Sequence, residues 1–208
     1  MNDYESGRTL FMPDTRFITE FDQYLFGQGT HYDLYNKLGA HPMTVDEEEG
    51  VYFAVWAPNA AAVSIVGDFN EWDIQKNPMQ KTGPIGVYET FIPEAKIGDL
   101  YKFYIIGYHG EEIYKADPYG NEAELRPGTA SRVTDISKLK WADARWIKAR
   151  EKKNVDEMPM AIYEVHPGSW RKHLATEEDP DGFYNYREFA HELTEYVKDM
   201  AYTHVELM

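Results

Sequence analysis

Across 208 residues, 36 acidic side chains outweigh 21 basic ones, and the net charge of −15 sets this chain against phosphate backbones and anionic membrane surfaces. The absence of cysteine excludes a disulfide framework and thiolate chemistry, while 43% hydrophobic and 15% aromatic content excludes a disordered chain. No nucleic acid and no membrane are therefore expected as partners.

The start, Met1-Asn2-Asp3-Tyr4-Glu5, lacks the basic segment and apolar run of a secretory signal, so a cytoplasmic location is expected. Residues 1 to about 40 read as a helical lead-in. Phe17, Phe21, Tyr24 and Leu25 recur at helical spacing, as do Leu34, Tyr35 and Leu38, with Gly39 placed to stop the second segment. Asp46-Glu47-Glu48-Glu49 is a solvated acidic run. Strand signals follow. Val51–Trp56 and Ala62–Val66 flank a turn at Pro58-Asn59-Ala60, and Gly67-Asp68-Phe69-Asn70-Glu71-Trp72 then sets an aromatic on a turn. Val87–Ile92 alternates after Gly83-Pro84-Ile85-Gly86, and Leu100–Ile106 alternates with Tyr101, Phe103 and Ile105 on one face. Short strands with a turn signal about every ten residues predict a sandwich.

From about 138 the pattern changes. Trp141 and Trp146 sit among charges, as aromatic anchors of a boundary segment. Met160–Val165 then reads as a buried strand, and Asn185 with Glu188 forms a capping signature. Tyr186, Phe189, Ala190, Leu193, Val197 and Met200 make one helical stripe, and Thr203–Met208 is a second strand. Strand, helix, strand is the opening of a (β/α)8 barrel, which needs about 250 residues in all. The expected fold is thus mainly β: an immunoglobulin-like β-sandwich preceded by short helices and followed by the first βαβ unit of an incomplete barrel. The expected divisions are 1–45 lead-in, 46–137 sandwich, 138–159 linker and 160–208 barrel start.

The segments GTHYDLYNKLGAHP (29–42), VYFAVWAPNAAAVSIVGDFNEWD (51–73), GDLYKFYI (98–105), KADPYG (115–120), RPGTASRV (126–133), MAIYEVHPGSWR (160–171) and FAHELTEYVKDMAYTHVELM (189–208) carry a family resemblance. Together they resemble a bacterial-type glycogen (1,4-α-glucan) branching enzyme of the α-amylase superfamily, with a family-48 carbohydrate-binding module ahead of its barrel. The resemblance implies cleavage of an α-1,4 link, a covalent glycosyl-carboxylate intermediate and transfer to a 6-hydroxyl. Retention of configuration needs two carboxyls about 5–5.5 Å apart. It needs no metal or organic cofactor. In such enzymes those carboxylates lie on later barrel strands, so no catalytic residue is assigned here and this chain alone is expected to be inactive. Asp68 and Asp117 read as turn-forming, and Glu164 as a buried structural carboxylate.

The resemblance also implies α-glucan as partner, with Trp72 as a stacking platform and Lys102 and Asn70 reaching sugar hydroxyls. It departs where a second tryptophan would follow Lys102, since Tyr108-His109 stands there, and where an asparagine would stand, since Ser131-Arg132 does. A module that is purely structural, with Trp72 packed away, is the alternative. His166 and Trp170 follow the first barrel strand and are candidates for the barrel mouth, or else a structural histidine and a packing tryptophan. His31 and His41 lack the partners of a metal site. Three other readings stay open: a non-catalytic glucan-binding or targeting protein, a piece of a debranching-type or trehalose-forming relative, and a regulator that pairs its strand–helix–strand tail with another chain.

Overall fold

A computed structural model describes residues 17–154 and 157–208. Expectations for the residues before 17 lie outside that range. The chain divides between Lys140 and Trp141 into two compact units.

The first unit is a sandwich of antiparallel sheets. One sheet has the order β1 (Gly39–Val45), β2 (Glu48–Trp56), β5 (Val87–Ile92), β4 (Gln80–Thr82). The other runs β3 (Ala60–Gly67), β6 (Leu100–Gly107), β9 (Ser131–Arg132), β8 (Glu122–Ala123), with β7 (Glu112–Lys115) also pairing with β6. Val51, Phe53 and Val55 of β2 meet Val63, Ile65, Tyr101 and Phe103 in the core between the sheets. The sandwich and its alternating β6 are as expected. Tyr101 and Phe103 are fully buried and Ile105 packs at the core's edge.

The strand β2 is buried on both faces. Tyr52 and Ala54 point away from the core and are covered by Phe17, Ile18, Leu34 and Leu38 of the lead-in. That cover differs from the expected pair of helices. Among the described residues of the lead-in only Glu20–Gln28 is α-helical (α1), and its Phe21 and Tyr24 are exposed. Leu34–Asn36 is a single 3₁₀ turn, and Gly39 opens β1 instead of closing a helix. β1 pairs with β2 from Gly39↔Ala54 to Val45↔Glu48, so the sheet begins ahead of the boundary expected at 46. Pro42 lacks an N–H, which an edge strand such as β1 tolerates.

The lead-in is tied by one carboxylate. Asp22 Oδ2 accepts from Thr19 N (2.8 Å) and from Lys37 Nζ (2.9 Å), and Oδ1 lies 2.9 Å from His31 Nε2. Burial works to raise this carboxyl's pKa, but the bonds from Thr19, Lys37 and His31 outweigh it and hold the group well below the usual carboxylate range.

The second unit holds α2 (Ala144–Arg150), β10 (Ile162–Val165), α3 (Tyr186–Asp199) and β11 (His204–Leu207). β10 and β11 pair in parallel from Ile162↔His204 to Val165↔Leu207, the expected strand–helix–strand unit. Asn185 Oδ1 accepts from Arg187 N and Glu188 N at 3.0 Å each, and Asn185 N donates to Glu188 Oε2 at 3.0 Å, completing the capping box. Phe189, Leu193 and Val197 of the expected stripe pack with Tyr163, Val165 and Trp170, whereas Tyr186 and Met200 are exposed. The segment expected as a linker contains α2. Trp141 is exposed, and Trp146 is exposed with Arg150 5.0 Å from its ring centroid, so neither is a buried anchor.

Candidate functional site

The turn after β3 is built around two residues that face inward. A Cβ on Gly67 would meet the Leu100 carbonyl oxygen at 2.4 Å and the Phe69 ring at 2.7 Å, so only glycine fits. Asn70 is buried: its Oδ1 accepts from Gly67 N (2.9 Å), and its Nδ2 donates to Ile65 O (3.0 Å) and Asn77 Oδ1 (2.7 Å). Both amide hydrogens are therefore engaged within the protein. Asn70, expected at sugar hydroxyls, is instead the internal brace of the turn.

That brace leaves Glu71 and Trp72 consecutively in the left-handed region, at φ 59° and 61°. Such backbone costs about 1–3 kcal/mol per non-glycine residue. The Trp72 indole emerges 37% exposed, and its Nε1 donates to Asp68 Oδ1 at 3.1 Å. Asp68 Oδ2 accepts from Leu100 N at 2.8 Å, tying the turn to the first residue of β6. Asp68 is thus turn-forming, as expected, and also an anchor for the indole.

Because Tyr101 and Phe103 point into the core, alternation puts Lys102 and Tyr104 on the outer face of the second sheet. Lys102 Nζ donates to Thr129 Oγ1 at 2.6 Å, leaving two ammonium hydrogens uncommitted to Thr129. Tyr114 of β7 stands opposite Tyr104 in register, ring centroids 5.2 Å apart, with Tyr104 buried and Tyr114 exposed. The outer face therefore carries an exposed aromatic beside Lys102. Tyr108-His109, which stands where the resemblance would put a second tryptophan, lies in the hairpin between β6 and β7. Strand pairing across that hairpin brings Tyr114 back beside β6. Ser131 is buried with its Oγ accepting from Asp117 N (2.9 Å), and Arg132 Nη1 donates to Gly98 O (2.8 Å), so both serve the fold.

Chemically, an exposed indole, an exposed phenol, an ammonium and a threonine hydroxyl suit a neutral, hydroxyl-rich ring. Aromatic faces take its C–H surface, and the polar groups take its hydroxyls.

In the second unit, His166 is exposed, with Ser169 Oγ 3.3 Å from its Nδ1. Trp170 is half-buried. Its Nε1 donates to Tyr163 OH at 2.8 Å, its ring meets Phe189 edge-on at 5.6 Å, and the Arg171 guanidinium lies 4.3 Å from its centroid. This is the packing role. Glu164 is exposed and not the buried carboxylate expected.

Asp117 is buried, accepting from Tyr101 OH (2.6 Å) and Tyr119 N (2.8 Å); burial pushes its carboxyl pKa up. His31 pairs with Asp22, and His41 Nε2 lies 3.0 Å from Leu38 O. Among the described residues no cluster of His, Asp and Glu could hold a metal ion, and no helix is long and apolar enough to cross a membrane.

Residues 37–120 match the family model Carbohydrate-binding module 48 (Isoamylase N-terminal domain). The chain is 54% identical over 192 residues to a 1,4-alpha-glucan branching enzyme of Butyrivibrio fibrisolvens, covering 92% of this chain and 30% of that relative. It is 48% identical over 207 residues to the one from Protochlamydia amoebophila, covering 99% and 28%. The chain thus spans less than a third of the length of these relatives. In fold it is similar to a putative alpha amylase of Salmonella typhimurium (TM-score 0.55, 22% identity, 82% and 24% of the two chains). It is also similar to a pullulanase of Paenibacillus barengoltzii (TM-score 0.54, 19% identity, 88% and 30%).

Proposed function

Taking residues 37–120 as a family-48 module and the chain as a homologue of the 1,4-alpha-glucan branching enzymes, we propose that its first unit holds α-glucan on the outer face of the second sheet. The observation that carries this is the exposed Trp72 indole, anchored to the start of β6, together with Lys102, Thr129 and Tyr114 on or beside the same strand. Trp72 and Tyr114 stack on pyranose faces, and Lys102 and Thr129 bond hydroxyls. The whole protein makes α-1,6 branches by glycosyl transfer. The 208-residue chain supplies the glucan-holding unit and the opening of the barrel, and does not branch glucan by itself. Branching requires a pair of carboxyls about 5–5.5 Å apart. The buried carboxylates Asp117 and Glu89 are both committed within the first unit, Asp117 to Tyr101 and Tyr119 and Glu89 to Tyr52 and Thr82.

Affinity electrophoresis in glycogen-containing gels tests the binding. The chain is retarded, and Trp72→Ala and Lys102→Ala each run faster. Equal mobility with and without glycogen contradicts the reading. Branch formation by the purified chain, read by iodine absorbance and debranching, contradicts the second part.

A further inference from the structure

We infer that Asp68 is a positioning residue for the glucan platform: its carboxylate clamps the Trp72 indole to the start of β6 and so sets where that ring stands relative to Lys102. The inference rests on the glucan-binding reading of this face. Trp72 sits on two consecutive left-handed residues, and its own N–H donates back to Gly67 O at 3.0 Å. That geometry fixes the backbone but leaves two side-chain torsions free. Asp68 removes this freedom with two oxygens at once, one on indole Nε1 (3.1 Å) and one on Leu100 N (2.8 Å). Lys102 is two residues beyond Leu100 on the same strand and so on the same face, which ties the indole's position to the strand that carries the ammonium.

A second consequence concerns what the indole can recognise. Tryptophan has a single donor and no acceptor. With that donor engaged by Asp68, Trp72 meets a sugar through its π-face alone, and hydroxyl recognition falls to Lys102 and Thr129. The platform is therefore tolerant of which pyranose hydroxyl faces it, as suits a ring sliding along a repetitive chain.

The test is a double-mutant cycle of Asp68→Ala and Trp72→Phe in the full 208-residue chain, with Asp68→Asn alongside. It is read by maltoheptaose affinity and by the Trp72 indole ¹H–¹⁵N resonance. Phenylalanine keeps the aromatic face but has no N–H to clamp. Expected are a shifted indole resonance and about a 5- to 20-fold affinity loss for Asp68→Ala, with Asp68→Asn in between. Little further loss is expected when Asp68→Ala is added to Trp72→Phe. An equal loss in both backgrounds overturns the inference, because Asp68 then acts only by holding Leu100. An unmoved indole resonance in Asp68→Ala also overturns it. Should the parent chain bind no maltoheptaose, the glucan reading falls, while the resonance still decides whether Asp68 holds the ring.

Discussion

Tyr114 of β7 lies directly across from Tyr104 of β6, ring centroids 5.2 Å apart and planes tilted by 53°, so that one phenol is buried under the other. The exposed ring gains a fixed orientation from the buried one. Tyr114→Ala should therefore weaken maltoheptaose binding by about tenfold, within the usual worth of one aromatic contact. Tyr114→Trp should preserve or raise affinity. Titration calorimetry decides; an unchanged affinity in Tyr114→Ala removes this residue from the site.

The hairpin from β1 to β2 turns through Asp46 and Glu47, at φ 48° and 69°, where two-residue loops favour glycine. Glu47→Gly should stabilise the first unit by about 0.5–1 kcal/mol in urea unfolding. Gly67→Ala should do the reverse, by about 2 kcal/mol or more, because its methyl group meets the Leu100 carbonyl and the Phe69 ring.

The depressed Asp22 carboxyl makes a pH prediction. Its folded pKa lies below its unfolded one, so its contribution is complete above the ordinary carboxylate value of about 4 and is lost as pH falls toward the folded value. Asp22→Asn should cost about 1–3 kcal/mol at neutral pH and flatten the acid limb of the stability profile. Asp117, raised by burial, has the opposite sign: its contribution is present at low pH and lost as pH rises through the folded value. A profile for Asp22→Asn that keeps the parent's acid limb would contradict this assignment.

The second unit should open at lower free energy than the first. Among its described residues the buried apolar side chains are Val165, Phe189 and Leu193, while β11 is exposed along its length. Hydrogen exchange should show the amides of 162–165 and 204–207 exchanging well before those of β2 and β6. Asn185→Ala should cost about 1 kcal/mol of helix stability and accelerate exchange in the first turn of α3.

Much of the fold was legible because burial left its period in the sequence. Tyr101, Phe103 and Ile105 alternate as a half-buried strand must, and Phe189, Leu193 and Val197 recur as a helix must. β1 was illegible for a physical reason. Pro42 and His41 look unlike a strand, yet an edge position asks little of either, and the apolar spacing of Leu34 and Leu38 serves to cover Tyr52 and Ala54, not to build a helix. Trp72 and Lys102 were readable as chemistry. The inward turn of Asn70 was not, since it rests on side-chain bonds within the turn, to Gly67 N, Ile65 O and Asn77 Oδ1; nor was the placement of Tyr114, which rests on the register of the β6–β7 hairpin.

The most direct test of the account is a ¹H–¹⁵N titration of the 208-residue chain with maltoheptaose. Saturable shifts centred on the Trp72 indole, Lys102, Tyr114 and Thr129 are predicted, with the β1 edge and the second unit unmoved. Shifts confined to the second unit, or none at millimolar ligand, would contradict glucan binding on the outer face of the second sheet.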